Sequence, residues 1–418
     1  LALATFLSFA LLSVFAPALA AGKVPLSFTP ADAVSNGDGS VIYLSDFSGK
    51  KVYSLNTNTN QLKSISFSRS PDSMFYKDGK LYVSLCDKEH SSYWLKEDQK
   101  GAFAIVDCAS FAVTAQHSID IDPGDIVVSN NNTVYIASGS GQWTYFCAYR
   151  QNGTSISKTR IRQASNIVYN PILNKVYTIT TDSSPRDISA YILQSDGGVS
   201  SYYDSRYHGD YPMGKNMRLS PDGTKILNDS GNIFTCSSTN SRDNDILYAS
   251  SINRSWLALS FSKDGSKFYI ALSNRQIYTY NYSTLSEETA KYESEGHAKY
   301  LFTKGNSLIV VSREASNSGS FFVETVSLTG SNTSSNPGSN NSGSDNPVTN
   351  SLGSDNPGSV NPDPDNPDSS DPDAKDPDNQ DNQENPEPSE PELKKDNLLK
   401  KIIRMFVETL NKLSPFKK

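Results

Sequence analysis

The segment FSKDGSKFYIALSNRQIYTYN (Phe261–Asn281) sets an Asp-Gly pair between two runs of alternating apolar residues. Such a pair can belong to a phosphate cradle, to a metal loop, or to a plain turn. Its flanks decide for the turn. Lys267-Phe268-Tyr269-Ile270-Ala271 alternates with period two, the pattern of a strand packed on its faces, and Asp-Gly between two such runs signals a hairpin. The same order of apolar strand, Asp/Asn/Gly turn, Tyr-bearing strand, loop and third strand recurs along the chain. Copies begin at Ser35, Phe75, Val127, Val168, Arg218, Phe261 and Leu301.

The equivalent second-strand positions are Tyr43, Tyr82, Tyr135, Tyr177, Leu227, Tyr269 and Ile309, in steps of 39, 53, 42, 50, 42 and 40 residues. That spacing suits a four-stranded propeller blade, as in WD40-like arrays. A lone four-stranded sheet leaves both apolar faces in water, and radial stacking removes them. The expected fold is all-β: a seven-bladed β-propeller of four-stranded blades. The last copy has only three strands before the chain turns to Gly, Ser and Asn. The segment KVPLSF (Lys23–Phe28) has no other partner and is expected to supply the missing outer strand, closing the ring; the other reading is a loose N-terminal arm.

The stretch SNGDGSVIYLSDFSGKKVYSLNTNTNQL, with AIVDCASFAV (Ala104–Val113) and YSLNTNTNQL (Tyr53–Leu62), resembles the YVTN-type repeat over about residues 24–328. No intact YVTN tetrapeptide is present. The resemblance implies a propeller of the kind found in exported and surface-layer proteins, in lactonase-like enzymes and near quinoprotein dehydrogenases.

Four regions are expected. Residues 1–20 read as a secretory signal peptide, with an apolar run Leu1–Val14 and a small-x-small site at Ala18-Leu19-Ala20; a membrane anchor would need roughly 20 apolar residues. Residues 21–329 form the propeller. Residues 330–393 are Pro-, Asp-, Asn- and Ser-rich and are expected to be a disordered, extended acidic spacer. The Asp run from Asp363 to Asp378 invites a calcium reading, but prolines fill the gaps where calcium loops need Gly and a bidentate acid. Residues 394–418 carry eight Lys or Arg against two acids. There Leu399, Ile402, Ile403, Phe406, Leu410 and Leu413 recur at helical spacing beside Lys400, Lys401 and Arg404. A basic amphipathic helix is expected, tethering the chain to an anionic membrane or a partner groove; folding back on the propeller or spacer is the alternative.

The whole chain is −7, residues 331–393 are −13 and residues 394–418 are +6, so the body is neutral. A neutral body is no platform for nucleic acid. Within each repeat the Asp-Gly turn joins strands one and two, so the long, variable loops fall on the opposite rim: Cys86–Gly101, Ser138–Tyr145, Thr181–Asp187, Ser205–Asn216 and Ser312–Ser320. Binding groups favour such loops. The candidate ligand-binding residues are Tyr93, Trp94, Trp143, Tyr202, Tyr203, Arg206, Tyr207, His208 and Tyr211, with Asp210, because aromatic faces beside polar groups suit glycans or extended peptides. The competing reading packs these tyrosines between blades. Cys86, Cys108, Cys147 and Cys236 match neither CxxC nor a zinc motif; disulfides and buried thiols both stay open. No nucleophile elbow or HExxH is present, so no catalytic residue, metal or cofactor is expected. The expected function is an exported binding or scaffold module for a protein or glycan at the cell envelope, with a lactonase-type propeller hydrolase as runner-up.

Overall fold

A computed structural model describes residues 22–95 and 98–329. The signal-peptide expectation, the acidic spacer and the C-terminal helix lie outside these residues. Among them are 28 strands in seven four-stranded antiparallel sheets, and no α-helix. The chain is a seven-bladed β-propeller. Blade 1 comprises Ala33–Ser35, Val41–Asp46, Lys51–Asn56 and Gln61–Ser66, laid down from the axis outwards. Blades 2 to 6 follow the same order. Blade 7 contributes His297–Lys304, Ser307–Arg313 and Phe321–Ser327, and its outer strand is Val24–Leu26. The pairs Val24↔Val323, Pro25↔Phe322 and Leu26↔Phe321 fasten the two ends of the ring together.

All seven repeat positions fall on second strands, and each pairs with the inner strand at the same place. Val34↔Tyr43, Phe75↔Tyr82, Val127↔Tyr135, Val168↔Tyr177, Arg218↔Leu227, Ser260↔Tyr269 and Phe302↔Ile309 are the equivalent rungs. Period-two alternation sends neighbouring residues to opposite blades. Phe268 and Ile270 pack against Leu227 and Ile233 of blade 5, whereas Tyr269 and Ala271 pack against Leu301, Leu308 and Val310 of blade 7. Each of the seven interfaces is sealed in this way by its own buried apolar cluster. Fully burying one such side chain stabilises by about 1.5–3 kcal/mol before entropy is counted. Outer strands are exposed and polar, as in Glu287–Glu293, where Lys291 and Lys267 pair with Glu287 and Glu288; charge on an edge discourages pairing with other chains.

The Asp264-Gly265 pair is a turn. Gly265 has φ +70° and donates its N–H to the Ser262 carbonyl, while Asp264 Oδ1 accepts from Ser262 Oγ and from Ser266 N. Those bonds, the Ser262 hydroxyl's first, hold the Asp264 carboxyl down at about 2. Every repeat has a left-handed residue at this turn: Gly39, Gly79, Asn132, Asn174, Gly223, Gly265 and Gly305. Asn replaces Gly twice because Asn is the L-residue that tolerates this conformation best. A Cβ at position 265 would meet only Pro221, at 3.6 Å. Gly265→Ala is therefore expected to cost about 1–2 kcal/mol through backbone strain alone, and Gly265→Asn clearly less. Urea unfolding of both variants checks this; equal losses would contradict it.

Candidate functional site

Two regions hold chemistry: the cavity along the ring axis and the long-loop rim. The inner strands of all seven blades line a cavity of about 910 Å³. Bulges in those strands shape its wall. The register jumps between Pro71 and Met74, between Pro123 and Ile126, and between Ala298 and Tyr300. A bulge leaves its extra residue out of the ladder and re-aims the side chain. Each jump spans at least one polar side chain: Asp72 and Ser73, Asp125 after Gly124, and Lys299.

Carboxylates along this wall tie one blade to the next. Asp32 Oδ2 of blade 1 accepts Met74 N–H of blade 2 at 2.8 Å, and Asp125 Oδ2 of blade 3 accepts Ile167 N–H of blade 4 at 2.8 Å. Ser73 Oγ of blade 2 donates to Asp125 Oδ1 at 2.6 Å, and Ser260 Oγ of blade 6 accepts Thr303 N–H of blade 7 at 3.1 Å. Burial, and then the Asp125 charge, push the Asp32 carboxyl up to about 7; burial also raises Asp125. Lys299 balances part of this charge, although burial lowers its own pKa. It donates to the Pro30 carbonyl while Tyr300 Oη donates to Ala31 O, so blade 7 grips the chain entering blade 1.

At the long-loop end of the cavity, His90 sits between two carboxylates. Its Nδ1 lies 2.6 Å from Asp122 Oδ2 and its Nε2 lies 3.0 Å from Asp72 Oδ2. Burial works to lower the imidazole, but the bonds to Asp122 and Asp72 outweigh it and push it up to about 12. Asp122 is fully buried and also accepts from Ser140 Oγ; its Oδ1 has no hydrogen-bond partner among the described residues. The loop carrying His90 is docked on the neighbouring blade. Ser138 and Thr144 hydroxyls donate to Gln99 Oε1, Gln99 Nε2 donates to Ser140 O, and Ser91 N–H donates to Ser140 Oγ. A buried polar network satisfied in this way makes a loop rigid.

The rim residues expected from sequence fall into two groups. Tyr93 is 90% exposed and Trp143 67% exposed, on blades 2 and 3. Lys88 Nζ lies 5.0 Å from the Trp94 ring centre and the Arg162 guanidinium 5.9 Å from that of Trp143. Trp143 stands at φ 54°, a conformation that a bulky residue adopts only under constraint. The second group belongs to blades 4 and 5; Tyr203, Tyr207 and Tyr211 are partly buried, whereas Tyr202, Arg206 and His208 are exposed. Tyr211 stacks on Tyr248 at 4.0 Å and meets Tyr207 edge-on, while Tyr207 Oη accepts Tyr248 N–H. Tyr202 is half-exposed and stacks on Tyr191. His208 Nδ1 lies 2.7 Å from Asp187 Oδ2, its N–H donates to Asp210, and Arg206 is exposed.

Tyr203 sends its hydroxyl to a pair that no spacing motif marks. Lys175 Nζ and Asp245 Oδ2 are 2.9 Å apart, both essentially fully buried. Lys175 also donates to Ser237 O, and Asp245 accepts from Tyr177, Tyr203 and Ser237 N. This completed network joins blade 4 to blade 5. All four cysteines are free, with Cys86 and Cys147 buried, so the open choice between disulfides and thiols resolves to thiols.

No family model matches the chain, and no curated protein matches it. Solved structures do. A chain of Kuenenia stuttgartiensis hydrazine synthase aligns with a TM-score of 0.52 at 12% identity, covering 72% of this chain and 96% of that one. The Cps50 (Swd1) β-propeller domain of Myceliophteria thermophila aligns with a TM-score of 0.52 at 12% identity, covering 73% and 98%. At that identity the likeness is one of fold.

The Asp32 carboxyl has a pH consequence. It stays protonated in the folded ring up to about pH 7, whereas the unfolded chain ionises it near 3.8. The folded state thus holds the extra proton between those values, and stability falls as pH rises through that window. Asp32→Asn is expected to reduce the fall, leaving the contributions of the other carboxyls that burial raises, Asp125, Asp187 and Asp229, and of His90 above about pH 6.5. Denaturant midpoints measured from about pH 4 to 7.5 check this; an unchanged slope would contradict it.

Proposed function

We propose that the chain is an exported propeller of the YVTN-repeat type that serves as a binding or scaffold module at the cell envelope. Its ligand is an extended peptide or glycan seated on the long-loop rim of blades 2 and 3. The observation that carries this reading is Trp143: a large aromatic, two-thirds exposed, held in a left-handed backbone conformation with a guanidinium beside its ring. Burial does not explain that arrangement, and strain at an exposed aromatic is characteristic of binding surfaces. Tyr93 and Trp94 extend the surface on a loop that buried hydrogen bonds fix in place. Tyr207 and Tyr211 pack on blade 5 and contribute shape more than contact area. The basic residues of 394–418 supply the attachment through charge.

The rim is tested with peptide and glycan arrays probed with the whole chain, which also separate the two ligand sources. Trp143→Ala and Tyr93→Ala are each expected to lower binding to array hits at least about tenfold, the loss of about 1.4 kcal/mol typical of a contact aromatic. Lys263→Ala, on the short-turn rim, is expected to leave binding unchanged. Equal binding by all three variants would sink the rim reading. Deleting 394–418 is expected to move the protein out of the envelope fraction without altering array binding.

A second reading, a lactonase-type propeller hydrolase, draws on the Asp72–His90–Asp122 group facing the cavity. Turnover on a lactone and ester panel that survives Trp143→Ala would favour it.

A further inference from the structure

We infer that Asp72, Cys86 and His90 form a binding site for a divalent transition metal, best suited to zinc, at the long-loop end of the axial cavity. One ligand atom from each residue can be chosen so that all three lie within 4.8 Å of one another. His90 Nε2 is 3.0 Å from Asp72 Oδ2 and 4.0 Å from Cys86 Sγ. In a tetrahedral zinc site with bonds of about 2.0–2.3 Å, such atoms stand roughly 3.3–3.6 Å apart. The two separations from His90 bracket that range and the third is at most 4.8 Å, so side-chain shifts of up to roughly an ångström complete the geometry. Thiolate, imidazole and carboxylate together suit zinc better than magnesium or calcium, which take oxygen ligands.

The surroundings are those of a prepared site. Asp122, fully buried, holds His90 Nδ1 at 2.6 Å, leaving Nε2 for the metal. A carboxylate behind a ligating imidazole in this manner fixes its tautomer and raises its basicity. Asp122 Oδ1 has no hydrogen-bond partner among the described residues, and a dication beyond the imidazole would add favourable charge near this buried side chain. Gly139 gives the imidazole its space, since a Cβ there would fall 2.3 Å from His90 Cε1. Asp72 is aimed by the inner-strand bulge, and Cys86 ends the second strand of the same blade, paired with Ser70. Asp72 and His90 both line the cavity, so a fourth position is open to water or a small ligand. Binding releases the His90 Nε2 proton and the Cys86 thiol proton to solvent. That thiol now donates to the Pro123 carbonyl at 3.2 Å. The site is independent of the rim reading.

The test uses the whole chain, stripped of metal and titrated with Co²⁺, then with Zn²⁺. The expected result is one Co²⁺ per chain with a thiolate-to-cobalt charge-transfer band, bleached by one equivalent of Zn²⁺. Cys86→Ser is expected to abolish the band. Asp122→Asn is expected to keep it and weaken affinity about 10–100-fold. Circular dichroism establishes that each variant is folded. Wild-type protein that takes up Co²⁺ without a thiolate band, or takes up none, overturns the proposal; so does a band that persists in Cys86→Ser. The wild-type spectrum alone decides the matter should a variant fail to fold.

Discussion

Closure of the ring is the constraint on which everything else depends. Each blade has two apolar faces, and an open stack would always leave two of them in water. Only when blade 7 meets blade 1 is the last pair buried, with Leu26, Ile309, Val311, Phe321 and Val323 of blade 7 against Ile42, Leu44 and Leu55 of blade 1. The closing strand Val24–Leu26 belongs to blade 7 in space and precedes blade 1 in sequence, so both ends of the ring are held in one sheet. Lys299 and Tyr300 add hydrogen bonds to Pro30 and Ala31 at the same junction. Spread over seven interfaces, this burial lets the ring carry groups that a smaller fold could not hold.

Those groups are mostly carboxylates on the axis. Asp32 and Asp125 spend their oxygens on backbone N–H groups of the following blade, which replaces lost hydration with directed bonds. Desolvation remains, and the raised Asp32 carboxyl is its trace. Asp122 differs: it is fully buried, holds His90, and has one oxygen without a hydrogen-bond partner among the described residues. Away from the axis, Lys175 and Asp245 form a completed buried network between blades 4 and 5. Completed, such a network specifies register.

Much of the architecture could be read from the chain because propeller blades are local. Tyr43, Tyr82, Tyr135, Tyr177, Leu227, Tyr269 and Ile309 mark the second strands, since hairpin turns and period-two alternation are short-range signals. The closing strand followed from counting strands in the last repeat. The axial site did not follow. Asp72 reaches the axis through a bulge, and His90 meets Asp122 only because a blade 2 loop docks on blade 3. Neither event leaves a spacing motif. On the rim, composition singled out Tyr207 and Tyr211 alongside Trp143. Composition cannot distinguish rings packed against Tyr248 and Phe234 from one standing in solvent.

The proposed division of labour between the two rims is the central claim: one carries the Asp-Gly and Asn turns together with the blade 5 connection 236–247, and the long loops of the other are proposed to bind. Hydrogen–deuterium exchange of the whole chain, free and mixed with envelopes of its host cells, measures this most directly. Protection on binding is expected in residues 86–101 and 138–145, with residues 36–41, 76–80 and 262–267 unchanged. Protection confined to the short-turn rim would contradict it.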